Sequence, residues 1–201
     1  MPPCAPASAS LDRAAAYPYL TAAFHTRYES RPMALLEILQ APHPVLKTKA
    51  KPVARVDDAL RRLAADMFET MYKAPGIGLA APQVGVSERL IVLDVADGDE
   101  RRPMVLVNPE IVWRSSERAT AEEGCLSLPG QFADVTRPQQ VKVSYLTEHG
   151  GEAELEAEGL LARCVQHEID HLDGVLFVDH LTALKRNMIM RKLIKTRRSR
   201  A

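Results

Sequence analysis

The chain has 201 residues, 46% hydrophobic and 26% charged, which excludes an intrinsically disordered protein and suits one core-forming domain. No run nears the roughly 20 apolar residues of a membrane helix, and three cysteines (Cys4, Cys125, Cys164) are too few for a disulfide framework. Lys+Arg and Asp+Glu both number 26, but eight basic residues and no acidic one follow Leu181, leaving 18 basic against 26 acidic before it. An acidic body with a basic tail points to a polyanionic partner for the tail.

Residues 1–32 are rich in Ala, Ser, Pro and Tyr and lack the apolar run of a signal peptide. We expect an N-terminal extension here, disordered or lying upstream of a true start at Met33. The folded body is expected to begin near Leu35, with Leu36, Ile38 and Leu39 stopped by the turn-rich Ala41-Pro42-His43-Pro44. Asp57 or Asp58 can cap a helix in which Leu60, Leu63, Ala64, Met67 and Met71 draw one apolar stripe, ended by Pro75-Gly76. Leu90–Leu93 reads as a buried strand, Met104–Val107 as another broken by Asn108-Pro109, and Val141, Val143 and Tyr145 as an alternating one. A turn at 148–151 leads into the alternating stretch 152–158, and Gly159 opens a helix-compatible run to Leu172. Thr182 can cap a last helix through the basic tail, anchored by Leu184, Met188 and Ile189. The order predicts an α+β fold, antiparallel strands around a central helix with a C-terminal helix. We divide it as extension (1–32), folded body (33–181) and basic helix and tail (182–201).

The sharpest chemical signal is His167-Glu168-Ile169-Asp170-His171. Histidines at i and i+4 lie one turn apart on one helix face, so both imidazoles can reach one metal ion. Glu168 sits about 100° round the helix from His167, within reach of a water beside that ion. Apolar neighbours Leu160, Leu161, Val165 and Leu172 make this the central helix, and buried histidines need partners. A catalytic site wants a third protein ligand, yet the downstream histidine of the HExxHxxGxxH pattern is missing. Cys125, in the glycine-hinged run Glu122–Pro129, is preferred because ligands from two elements wrap an ion better than three from one helix face. Cys164, three residues before His167 on that face, competes. A third segment, Gly76–Gln83, has two glycines that permit close backbone approach, and Gln83 is a neutral donor able to face an oxyanion.

Gly76-Ile-Gly-Leu-Ala-Ala-Pro-Gln83, Glu123-Gly-Cys-Leu-Ser127 and Gln166-His-Glu-Ile-Asp-His171 together resemble the three motifs of the peptide deformylases, over about residues 34–196. The basic last helix is similar to that of the bacterial type with a helical C-terminus. The resemblance implies removal of the formyl group from the N-terminal formylmethionine of nascent proteins, with release of formate. It implies that Cys125, His167 and His171 hold one divalent ion, Fe(II) natively, with Zn, Ni or Co as substitutes. It gives Glu168 the role of acid/base, and the Gln83 side chain with the Leu126 backbone N–H that of oxyanion donors. Gly78 would hold the peptide by backbone hydrogen bonds, and Ile77, Leu160 and Cys164 would line a methionine pocket. A bacterial, cytoplasmic enzyme is expected, meeting nascent formyl-methionyl peptides and the ribosome through its basic helix, with no membrane. The rival readings are an HExxH metallopeptidase and a non-catalytic ribosome- or peptide-binding relative.

Overall fold

The computed structural model of the chain describes residues 34–95 and 101–198, so the expectation for residues 1–32 lies outside the described part. The first helix, α1 (Asp58–Lys73), is capped by Asp57, whose carboxylate accepts from the Ala59 and Leu60 N–H groups. Its apolar stripe buries Leu60, Ala64, Met67 and Met71, as the i, i+3, i+4 spacing predicts. The two methionines are fully buried and each contribute about 2 kcal/mol by leaving water.

Five antiparallel strands follow in the sheet order β1-β2-β3-β6-β7: β1 (Gly78–Ala80), β2 (Leu90–Asp94), β3 (Pro103–Arg114), β6 (Gln140–Leu146) and β7 (Glu152–Glu158). Helices cover both faces. On one side α1 packs over Leu79, Leu90, Val92, Val105 and Val107. On the other, α2 (Gly159–Leu172) packs over Ala80, Ile91, Leu93, Leu106, Val141, Val143 and Ala157. This double cover explains why all five residues of β2 are buried and its sequence does not alternate. In β6 and β7 the alternation is plain, and the Gln140↔Glu158 to Leu146↔Glu152 register keeps Val141, Val143, Leu155 and Ala157 on the α2 side.

Three expectations need correction. The strand from Met104 is not broken at Asn108-Pro109; β3 runs through to Arg114. Asn108 takes φ 52° and the register with β6 shifts there, so the proline sits at a bulge, where a missing N–H is tolerated. The Asn108 amide also bonds the Val53 N–H (2.8 Å) and C=O (2.9 Å), replacing a strand partner. Second, a hairpin absent from the sequence reading, β4 (Arg118–Gly124) with β5 (Phe132–Pro138), forms a separate two-stranded sheet. Third, α3 (Ala183–Arg198) starts at Thr182 as expected, its hydroxyl accepting from the Lys185 N–H, but of the three expected anchors only Ile189 packs. Leu193 is buried and Ile189 and Met190 pack beside Leu46, Leu128 and Phe177, whereas Leu184 and Met188 are 72% and 63% exposed. The helix phase places Leu184, Met188, Arg191 and Lys195 along one outward stripe. No helix among the described residues is long and apolar enough to cross a membrane.

Candidate metal centre

The site forms where α2 crosses β1 and meets the end of the β4–β5 hairpin. The one-turn spacing on α2 brings the His167 and His171 rings to 5.1 Å between centroids, edge to face. Just past the end of β4, Cys125 brings its Sγ to 3.2 Å from His171 Nε2. One ligand atom from each of Cys125, His167 and His171 lies within 4.8 Å of the others. Two ligands of a tetrahedral ion with bonds near 2.0–2.3 Å stand about 3.5 Å apart, so this cluster has the dimensions of a single divalent site. A thiolate and two imidazoles are the donors that such an ion takes. Among the described residues, the buried side-chain atoms without a partner are Glu168 Oε2 and His171 Nδ1, both at this cluster. Buried polar atoms are rarely left so; the Glu168 oxygen fits a carboxylate facing a water beside an ion, whereas His171 turns Nε2 toward Cys125, so its Nδ1 is the ring nitrogen on the far side from the candidate ion. Cys164 is not in the cluster. Its thiol points to the Ile77 carbonyl at 3.6 Å, and burial, then the charges of Glu168 and Glu123, keep it protonated.

The His167 Nδ1 meets Glu123 Oε2 at 3.1 Å, leaving Nε2 for the metal. Burial disfavours the Glu123 charge, but hydrogen bonds from His167 and Arg137 outweigh it and hold the carboxyl well below its usual range. Arg137 grips it with Nε (2.6 Å) and Nη2 (2.9 Å), and Arg163 Nη1 adds a third donor at 2.7 Å. Arg163, on α2, also bonds the Val135 carbonyl (2.9 Å) and the Ala119 carbonyl (2.9 Å), bolting the hairpin to the helix. For His171, burial and then the like charge of His167 depress the pKa, so it is neutral and ready as a ligand. On His167 burial again opposes charge, but Cys125 and Glu123 win and draw the pKa up, so an ion bound there would displace that proton.

Glu168 is buried, and desolvation raises its carboxyl to about 7. A cation alongside favours the carboxylate and pulls this value back down. Its position explains Gly78: a Cβ there would meet Glu168 Oε1 at 2.5 Å and Cys164 Sγ at 2.8 Å. The glycine is thus required by the crossing of α2 over β1, a reason separate from any peptide contact. Gln83, 1% exposed, is aimed by the backbone three residues before it: the Ala80 N–H donates to Oε1 at 2.8 Å, turning Nε2 toward Ser127 Oγ (3.2 Å) and Cys125 Sγ (3.7 Å).

A cleft of about 700 Å³ opens over these groups. It is lined by Ile77, Gly78, Gln83, Cys125, Leu126, Leu160, Cys164, His167 and Glu168, which are all the residues singled out from the sequence except His171. Ile77 and Leu160 stand half-exposed at the rim. Glu123, Arg137 and Arg163 were missed. Glu123 carried a signal, two residues before Cys125 on an extended segment, hence on the same side. Arg137 carried none.

The whole of this architecture has relatives. Residues 35–187 match the family model described as polypeptide deformylase. The chain is 56% identical over 164 residues to a peptide deformylase of Phenylobacterium zucineum, covering 81% of this chain and 97% of that one. With a peptide deformylase of Alkalilimnicola ehrlichii it shares 58% identity over 163 residues, covering 81% and 91%. The crystal structure of peptide deformylase from Ehrlichia chaffeensis superposes with a TM-score of 0.80 at 41% identity, over 83% of this chain and 98% of that one. Sequence, fold and comparisons agree: the chain belongs to the polypeptide deformylase family.

Proposed function

We infer that the chain does what its family name describes. As a peptide deformylase, a metal-dependent hydrolase, it removes the formyl group from the N-terminal formylmethionine of nascent proteins and releases formate. The observation that carries this is the Cys125, His167 and His171 donor cluster at the floor of a cleft that the buried Glu168 carboxylate and the oriented Gln83 amide also line. Cys125, His167 and His171 are assigned as the ligands. A divalent ion bound there supplies Lewis-acid polarisation and makes hydroxide available near neutral pH. Glu168 takes the water's proton and hands it to the leaving nitrogen. The Gln83 Nε2 and the Leu126 N–H face the developing oxyanion, each such donor lowering the barrier by about 3 kcal/mol. Gly78 pairs with the peptide backbone, and Ile77, Leu160 and Cys164 receive the methionine side chain.

The ion is assigned as Fe(II), with Zn, Ni or Co able to replace it; a mixed thiolate–imidazole set suits iron or zinc. We place the enzyme in the bacterial cytoplasm, as residues 33–181 of catalytic body and 182–201 of basic helix and tail, after an extension of 1–32. The outward stripe of Leu184, Met188, Arg191 and Lys195, with Lys185 and Lys192 beside it, is assigned to the ribosome. The test is substrate choice. Formyl-Met-Ala-Ser should yield formate, while unformylated Met-Ala-Ser stays intact. Cleavage of the unformylated peptide would make the chain a metallopeptidase, and inertness toward both would make it a binding relative.

A further inference from the structure

His167 is held by more than Glu123. The arginine that grips Glu123 through Nε and Nη2 spends its last nitrogen elsewhere: Arg137 Nη1 donates to Asp170 Oδ2 at 2.8 Å. That same oxygen accepts from His180 Nε2 at 2.7 Å. A continuous run of polar contacts therefore leads from the imidazole through β4, β5 and α2 to the short 3-10 turn Phe177–His180. It also runs from the interior outward, the side chains of Arg137, Asp170 and His180 being 5%, 24% and 36% exposed.

The turn that carries His180 touches His167 a second time. Phe177, 1% exposed, stacks on the imidazole at 6.4 Å between centroids and 21° between planes. The turn is fixed at both sides. Asp179 accepts from the Leu176 N–H at 2.7 Å, pairs with Lys47 of the body, and lies 3.8 Å from Arg186 of α3. Leu181 and Thr182 then lead straight into α3.

A half-exposed histidine–carboxylate pair on its own would contribute little. Arg137 changes that. Its guanidinium is planar and rigid, and all three nitrogens are committed to carboxylates, two on Glu123 and one on Asp170. It cannot swing at Asp170 without swinging at Glu123, so a shift of one carboxylate is passed to the other. Asp170, held by two donors on one oxygen, is the fixed end of this lever, and His180 supplies one of them.

We propose that His180 is a positioning residue for His167, acting through Asp170, Arg137 and Glu123, and that it ties the metal centre to the root of α3. The proposal rests on the assignment of Cys125, His167 and His171 as the ligands. The experiment follows zinc release to a coloured chelator from the zinc-loaded full chain. His180→Ala should release zinc about 3- to 10-fold faster, below the 10–100-fold of a directly bonded outer partner because three links intervene. His180→Gln, whose amide can still donate to Asp170, should stay within about 2-fold of wild type. In an Asp170→Ala background the link is already cut, so adding His180→Ala should change nothing further. Cobalt-loaded His180→Ala and Asp170→Ala should show the same displaced absorption band. Unchanged release in His180→Ala, failure of His180→Gln to restore it, or equal increments in both backgrounds would each overturn the proposal. A wild-type chain that holds no zinc at one ion per chain would instead overturn the ligand assignment, and this proposal with it.

Discussion

At the residue scale, Gly78 shows how closely the site is built. Any side chain there must displace Glu168 or Cys164, the nearest atoms to its Cβ being Oε1 and Sγ. Gly78→Ala should lower the melting temperature, overpacking costing about 1–3 kcal/mol. It should also cut kcat/KM by about 100-fold, since a displacement near 1 Å of a reacting group has that effect. Both are read by calorimetry and formate release on one preparation; a variant stable and active as wild type would remove the Gly78–Glu168 contact from the account. Cys125 makes a second test. As a ligand it should resist alkylation while metal is bound and react after chelation, with Cys164 little changed between the two states. Peptide mass mapping checks it, and equal labelling of Cys125 in both states contradicts the assignment. The three motifs were readable in the sequence because each has its chemistry in consecutive residues. Glu123, Arg137 and Asp170 were not read as a unit, since their partnership joins positions 14 and 33 residues apart.

At the scale of the element, legibility followed burial. Helix α1, β6, β7 and α2 were visible because each buries one face and alternates or repeats accordingly. The β4–β5 hairpin was not, because only a few of its residues are buried, Glu123, Val135 and Arg137 among them, and two of these are charged. What joins it to α2 is ionic: the Arg137–Glu123 and Arg163–Glu123 pairs. Helix α3 was visible but only partly phased, Ile189 packing as expected and Leu184 and Met188 not. A run with apolar residues at 184, 188, 189, 190, 193 and 194 offers more than one face, and the packed neighbours chose Ile189, Met190 and Leu193. That choice leaves Leu184 and Met188 outside, sharing a stripe with Arg191 and Lys195. Reversing the charges of Arg191 and Lys192, both exposed, should weaken co-sedimentation with ribosomes, more so at low salt, and leave turnover on formyl-tripeptides within about 2-fold. Equal pelleting of the reversed and wild-type proteins would take the helix out of the ribosome proposal.

For the whole molecule, the sheet does the positioning. Helix α2 crosses one face of it and supplies the His167 and His171 imidazoles of the candidate cluster and Glu168, β1 at the sheet edge leads into Gln83, and the separate hairpin delivers Cys125. The α+β architecture was inferable from element order, whereas the meeting of the three motifs is a property of the assembled sheet and hairpin. A chain begun at Met33 should melt at the same temperature as the full chain and turn over short formyl-peptides equally well; a fall of several degrees would assign residues 1–32 a packing role. The central claim is that one metal ion and Glu168 together hydrolyse the formyl amide. It is tested most directly by measuring metal content and formate release from formyl-Met-Ala-Ser on the same samples of wild type, chelator-stripped wild type and Glu168→Gln. We predict one ion per chain in wild type and in Glu168→Gln, turnover only in metal-loaded wild type, and a loss of at least about 100-fold in Glu168→Gln. Normal turnover by Glu168→Gln, or undiminished turnover after the metal is removed, would contradict the account.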